Sequence, residues 1–268
     1  NQEGFLFYLA SLPSSDHVAG HIAAPGVVVN PTKIGCETCH NSHSSLEDSL
    51  EVPIRTVEPV TAIADATVID FNNNSNLCAN CHQSRESYQK QEAVDSINMG
   101  STASPNWVQV TDGNVGVASS RVGPHHGPQA NMLAGALGYG TTSKSTHSGI
   151  GCTACHMGES DGTEGGHTFK ASLASCKACH IHASATSFDI GETQTDFDAR
   201  MAAIRAKLVE KNMLNNTSGL AIVGQYPLAD FKGLWNYISL NEDQSRGVHN
   251  PDYIQNMLTV AETSLGLK

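Results

Sequence analysis

The sequence predicts a fold that is mainly irregular coil, with some α-helices and little β-structure. Three observations predict it. Only 39% of the 268 residues are hydrophobic and 6% aromatic, a thin supply of core-forming side chains for that length. Charged residues make up 15%, too few for a typical disordered chain. The one repeat is a five-residue pattern that uses all eight cysteines, so something other than Leu, Ile and Phe is expected to fill the interior.

Taken along the chain, the elements are sparse. Residues 52–70 (VPIRTVEPVTAIADATVID) carry β-branched residues and prolines, which suits a short extended hairpin at best. From Gln83 to Ser148 the chain is rich in Ser, Thr, Asn and Gly and reads as mostly loop, with helices near Gln83–Val94 and Gln129–Leu137. The clear helices come late. Phe197, Met201, Ile204 and Leu208 recur at helical spacing, with Thr195 and Asp198 as a capping arrangement. A second helix is expected from Pro251 to about Leu265, with Asn250 as its cap, Asp252 in its first turn and Ile254, Met257, Leu258 and Ala261 on one stripe. Both stripes read as packing surfaces. Residues 1–190 are thus expected to form a cofactor-binding region, with 191–268 a helical segment packing back on it in one structural unit.

Charge narrows the function. With 15 basic against 26 acidic residues the net charge is -11, which argues against nucleic acid as a partner. No apolar run approaches a membrane span, and Gly4–Ala10 is too short for one and reads as a mature N-terminus.

The repeat occurs as Cys36-Glu37-Thr38-Cys39-His40, Cys78-Ala79-Asn80-Cys81-His82, Cys152-Thr153-Ala154-Cys155-His156 and Cys176-Lys177-Ala178-Cys179-His180. C-x-x-C-H is the attachment signature of c-type haem. Two thiols three positions apart can each form a thioether to the porphyrin edge, and the next histidine is held beneath the iron. A disulfide framework or zinc knuckles would not place histidine after every second cysteine, and a thioredoxin-like site needs one C-x-x-C rather than four. Four covalent haems would replace side-chain core, and their tethers would constrain the unfolded chain much as disulfides do. Covalent haem without a spare thiol also implies export from the cytoplasm.

Thirteen histidines are many for this length. Four are proximal: His40, His82, His156 and His180. Two histidines on each of four irons would need four more from His17, His21, His43, His125, His126, His147, His167, His182 and His249. The six methionines show no comparable placement. His147 lies in a Ser/Thr/Gly loop, His167 follows Gly165-Gly166, and His249 stands just outside a well-capped helix. His125 and His126 form a doublet in which one is expected to bind. His43 follows His40 by three residues, His17 and His21 are an i, i+4 pair, and His182 reads as a bystander. Any one of these can equally be a surface or hydrogen-bonding histidine. Candidates exceed irons, so some are bland or some ligands are exchanged between copies of the chain. Asn73-Asn74-Ser75, Asn215-Asn216-Thr217 and Asn216-Thr217-Ser218 match a glycosylation pattern that chance supplies readily in so Asn-rich a chain.

Leu77-Cys78-Ala79-Asn80-Cys81-His82-Gln83, Pro124-His125-His126-Gly127-Pro128-Gln129, the segment from His147 through Cys176-Cys179-His180, and Gly247-Val248-His249-Asn250-Pro251 resemble multihaem cytochromes related to pentahaem nitrite reductase. Within that group, the four motifs and the length are most similar to the OmcE-type tetrahaem cytochromes that polymerise into extracellular nanowires. The resemblance implies that His167 serves the first haem, His125 or His126 the second, His249 the third and His147 the fourth. It also implies that at least one distal histidine comes from an adjacent subunit, a role that His17, His21 or His43 would suit. The reductases carry lysine in place of one proximal histidine and keep an open iron position. Here all four motifs end in histidine, so the resemblance points to an electron-transfer protein rather than an enzyme. The expectation is four covalent, bis-histidine haems in an extracellular, head-to-tail filament of copies of this chain, exchanging electrons with redox partners. A discrete tetrahaem shuttle and a multihaem reductase are the alternatives.

Overall fold

In the computed structural model the described residues are 35–40, 54–160, 162–181 and 186–268. The expectations for His17, His21, His43 and His182, and for the opening apolar stretch, lie outside them. The described chain is helix and coil with little sheet, as its composition predicts.

Short helices carry the cysteine repeats. α1 is Cys36–Cys39, α2 Ser75–Ala79, and α3 Tyr88–Glu92. α4 is Gln129–Ala134, α5 Thr146–Ile150, α6 Thr153–His156 and α7 Leu173–Lys177. Three long helices follow: α8 Thr193–Glu210, α9 Leu228–Asp243 and α10 Pro251–Ser264. Six short strands pair as three antiparallel two-stranded sheets. β1 (Val60–Thr61) pairs with β2 (Val68–Ile69), with Val60 opposite Ile69. β3 (Ser96–Asn98) pairs with β4 (Trp107–Gln109), and β5 (Asn114–Val117) with β6 (Gly224–Pro227). The last pair ties the middle of the chain to the start of α9, where the Leu228 N–H donates to the Gly113 carbonyl at 3.0 Å.

The helices expected around Gln83–Val94 and Gln129–Leu137 are shorter than their sequence windows. α3 covers one turn, capped by the Ser87 side chain, and α4 stops at Gly135, whose φ of 74° turns the chain left-handed. A Cβ at Gly135 would lie 2.2 Å from the Ser143 carbonyl oxygen, so only glycine lets the chain turn here. α8 buries Phe197, Met201, Ile204 and Leu208, the predicted stripe. It begins two residues before Thr195, however, because Asp189 supplies the cap: its Oδ1 accepts the N–H groups of Gln194 at 2.7 Å and Thr195 at 3.2 Å. α10 starts as the sequence predicts, with Pro251 in its first turn and the Asn250 side chain accepting the Tyr253 N–H at 3.4 Å.

The main core lies where α8, α9 and α10 meet residues 115–137. It includes Phe231, Leu234 and Trp235 from α9, Met257 and Leu258 from α10, and Val115, Val117, Met132 and Leu137 from the preceding region. A smaller core of Val60, Ile69, Phe71, Ala130 and Leu133 lies under the second cysteine repeat. Fixed polar bonds lock the long helices to the loop before α5. Tyr253 Oη accepts the N–H groups of Leu137 and Gly138 at 2.9 and 2.8 Å, and Trp235 Nε1 donates to the Leu137 carbonyl at 3.1 Å.

Candidate functional site

Each C-x-x-C-H repeat closes one helical turn. The histidine N–H returns to the carbonyl of the first cysteine at 2.9 Å for His40, 2.9 Å for His82, 3.0 Å for His156 and 2.8 Å for His180. That i→i−4 bond puts both thiols on one side of the turn and the imidazole just beyond it. None of the eight cysteines is paired in a disulfide. Among the described residues no three His, Cys, Asp or Glu side chains converge as a tetrahedral zinc site requires.

The thiols of successive repeats lie close together. Burial pushes the Cys39 thiol up, and the neighbouring Cys78 sulfur pushes it further. Cys81 is likewise raised by burial, against the pull of Arg85, and feels Cys39. Cys78 and Cys152 are in hydrogen-bonding contact, which brings Cys78 down to about 7 and holds Cys152 well above the usual thiol range. Cys155 is raised by burial and by Cys176 and Cys179. The four repeats are therefore neighbours in space in their order along the chain.

Three histidines of the repeats face a second histidine. The ring centroids of His40 and His167 lie 6.1 Å apart, those of His147 and His180 6.1 Å, and those of His156 and His249 6.3 Å. A first-row metal bound to one nitrogen of each ring through bonds of about 2 Å would set two imidazole centroids about 6 Å apart. The donor set and the spacing fit an iron held between two histidines, with a macrocycle tethered by the adjacent cysteine pair.

On three of these rings Nδ1 is held by a hydrogen bond. His147 Nδ1 meets the Val248 carbonyl at 2.6 Å and His156 Nδ1 the Phe169 carbonyl at 2.9 Å. His249 Nδ1 meets Asp243 Oδ1 at 2.6 Å. A proton fixed on Nδ1 leaves the Nε2 lone pair free to bind a metal. Burial works to lower the His249 pKa, but the Asp243 charge and hydrogen bond outweigh it and raise it.

The backbone aims these rings. His167 sits in a single 3-10 turn, Gly166–Thr168, entered through Gly165 at φ 70°. A Cβ on Gly165 would lie 2.3 Å from the Glu159 carbonyl oxygen, so this glycine serves an approach of backbone to backbone. His249 stands directly before the Asn250 cap, and its N–H donates to Ser245 Oγ at 3.2 Å.

His82 differs. No histidine ring stands opposite it at that spacing among the described residues, and its Nδ1 meets Gln129 Oε1 at 3.0 Å. The His125 and His126 rings instead lie edge to face at 5.1 Å. His125 Nδ1 accepts the His126 N–H at 2.9 Å, and burial, then Arg85, lower its pKa. His126 Nδ1 pairs with Glu242 Oε2 at 2.8 Å. Gln129, Glu242, Asp243 and the Val248 carbonyl escaped sequence reasoning. Gln129 and Val248 lie within the Pro124–Gln129 and Gly247–Pro251 stretches, but nothing local marks Glu242 and Asp243, which are placed by the end of α9.

No protein-family model matches the chain, and no curated protein matches it. Two solved structures are similar to it. One is the outer cell wall cytochrome OcwA, 22% identical over 86% of this chain and 44% of that one, with a TM-score of 0.42. The other is an undecahaem cytochrome from the S-layer of Carboxydothermus ferrireducens, 21% identical over 87% of this chain and 32% of that one, with a TM-score of 0.47. The chain spans less than half the length of either, and neither likeness is close enough to assign a family.

Proposed function

We propose that this chain is an extracellular electron-transfer protein that binds four haem groups covalently through its C-x-x-C-H repeats, and that copies of it join head to tail into a conducting filament. The observation that carries the reading is the set of three histidine pairs at 6.1–6.3 Å, each with one member from a repeat. Bound haem would supply a one-electron iron couple at each site. The chain's own part is to hold both axial imidazoles fixed, so that little reorganises when the charge changes. Hydrogen bonds from Nδ1 to Val248, Phe169 and Asp243 do this for three rings. The contiguous thiols of the repeats would place the four tethers in one row. Fixed, paired ligands at the three sites that have them would leave no position there for a substrate, which favours conduction over catalysis.

The ring of His82, which faces no second histidine among the described residues, favours assembly. The second site needs a histidine that the described residues do not set opposite it, and the surplus at His17, His21 and His43 would supply one from the same or a neighbouring copy. An open head-to-tail contact that does not close on itself gives a helical filament.

Negative-stain electron microscopy of the native exported protein, with a haem count and an absorption spectrum, tests the proposal. Four haems per chain, all low-spin, in long uniform filaments are expected. Discrete particles with the same spectrum would leave a soluble shuttle, and a high-spin iron that binds cyanide at rest would replace conduction with a reductase. His249→Ala should turn one of the four irons high-spin; an unchanged spectrum removes His249 from the ligand set.

A further inference from the structure

The paired rings differ in what holds their outer nitrogens. His147 and His156 lean on neutral backbone carbonyls. His40 Nδ1 is buried with no hydrogen-bond partner among the described residues. Among the described residues, His249 is the one paired ring that meets a carboxylate, that of Asp243, whose side chain is 1% exposed. The Ser245 hydroxyl donates to the other oxygen of that carboxylate and accepts the His249 N–H. Asp243 closes α9, which is pinned through Phe231, Leu234, Trp235 and Leu240 in the main core, so the carboxylate is held in place by the fold.

We propose that Asp243 sets the reduction potential of the iron site between His156 and His249 below those of the sites between His40 and His167 and between His147 and His180. This rests on the haem reading above. A carboxylate on Nδ1–H draws that proton toward itself and gives the imidazole more anionic character, so that Nε2 becomes a stronger donor and favours the ferric state. The buried negative charge, close to the iron and poorly screened, works in the same direction. Reduction of this site adds one electron, drawn from a neighbouring iron. The Nδ1 proton stays shared between His249 and Asp243, so no proton need enter or leave. Of the three paired sites the third is then the last to fill and the first to empty. Electrons crossing the chain must climb one step there, and every copy in a filament would repeat it.

The test is Asp243→Asn in the full haem-loaded chain, which keeps the shape and a hydrogen-bonding oxygen but removes the charge. Spectroelectrochemical titration should show one of the four midpoints rising by about tenfold in its one-electron equilibrium constant, about 59 mV, with the other three in place. The electron paramagnetic resonance signal of one low-spin iron should shift with it. Glu210→Gln, on the exposed side of α8, removes one charge elsewhere and should leave all four midpoints unchanged. If Asp243→Asn does not load four haems, Ser245→Ala serves as the second variant. It strips a hydrogen bond from the same carboxylate and should move the same midpoint down. A fully loaded, low-spin variant with all four midpoints unchanged overturns the proposal. Should His249→Ala also leave the parent spectrum unchanged, His249 is not a ligand and the role of Asp243 falls with it, while the haem reading is decided separately by the haem count.

Discussion

Asn250→Ala tests whether one buried side chain both caps α10 and fastens it to the rest of the chain. Asn250 is fully buried. Its Oδ1 accepts the Tyr253 N–H, and its Nδ2 donates to the carbonyls of Leu133 at 3.2 Å and Ser143 at 2.9 Å. Loss of the cap costs about 1 kcal/mol. The Leu133 carbonyl keeps the Ser148 hydroxyl at 2.5 Å, so the Ser143 carbonyl is the one that loses its donor. A buried orphan of that kind costs about 1–3 kcal/mol. The sum is about 2–4 kcal/mol, a fall in Tm of roughly 5–15 °C for a chain of this size. Far-UV circular dichroism on the haem-loaded variant measures it. Well below the transition the spectrum should stay low-spin, because Asp243 and Ser245 still hold His249. A Tm within about 2 °C of the parent would refute the reasoning, since it would mean that neither the cap nor the strap contributes.

Two further predictions concern other parts of the molecule. Glu262 accepts Arg200 Nε at 2.8 Å and Nη2 at 2.6 Å, and Lys268 Nζ at 2.5 Å. Burial pushes its carboxyl up, but these cations outweigh it and hold it below the usual carboxylate range. A depressed folded pKa adds stability that is complete above the unfolded value and lost as pH falls through the folded one. The denaturation midpoint should therefore decline below about pH 4.5, and Glu262→Gln should flatten that decline while costing about 3 kcal/mol at neutral pH. Equal slopes in the two proteins would show that Glu262 is not the titrating group. Replacing His17 and His21 together by alanine should abolish filaments while leaving four haems per chain; electron micrographs showing intact filaments would remove both from the interface.

The cysteine repeats with the histidine that ends each, and the start of α10, were legible in the sequence because each depends on residues adjacent in the chain. Asn250-Pro251 is a local stop and start signal, and the α8 stripe is a local period. α9 was not foreseen. It follows Pro227, contains Gly233, and buries Asn236, Ser239 and Asp243 as well as Phe231, Leu234, Trp235 and Leu240, so no clean apolar stripe separates its faces. The hydrogen-bond partners of the paired rings were hidden for the same reason. Asp243 reaches His249 only because α9 and α10 pack together, and Gln129 reaches His82 only because α4 lies beside the second repeat. The cap of α8 was misplaced because Asp189 lies outside the helical period that the stripe reveals.

The spacing of the paired histidines also bears on the birth of the protein. His40 faces His167, and His156 faces His249, each well downstream of the repeat it completes. If the chain is exported and loaded as proposed, threading from its N-terminal side would present the first pair of thiols long before the facing ring, and the third site would close only when the segment before α10 had emerged. On the proposed haem reading, truncation anywhere ahead of His249 would leave the His156 site open on one face, so a segment made late would act as the seal on work begun much earlier.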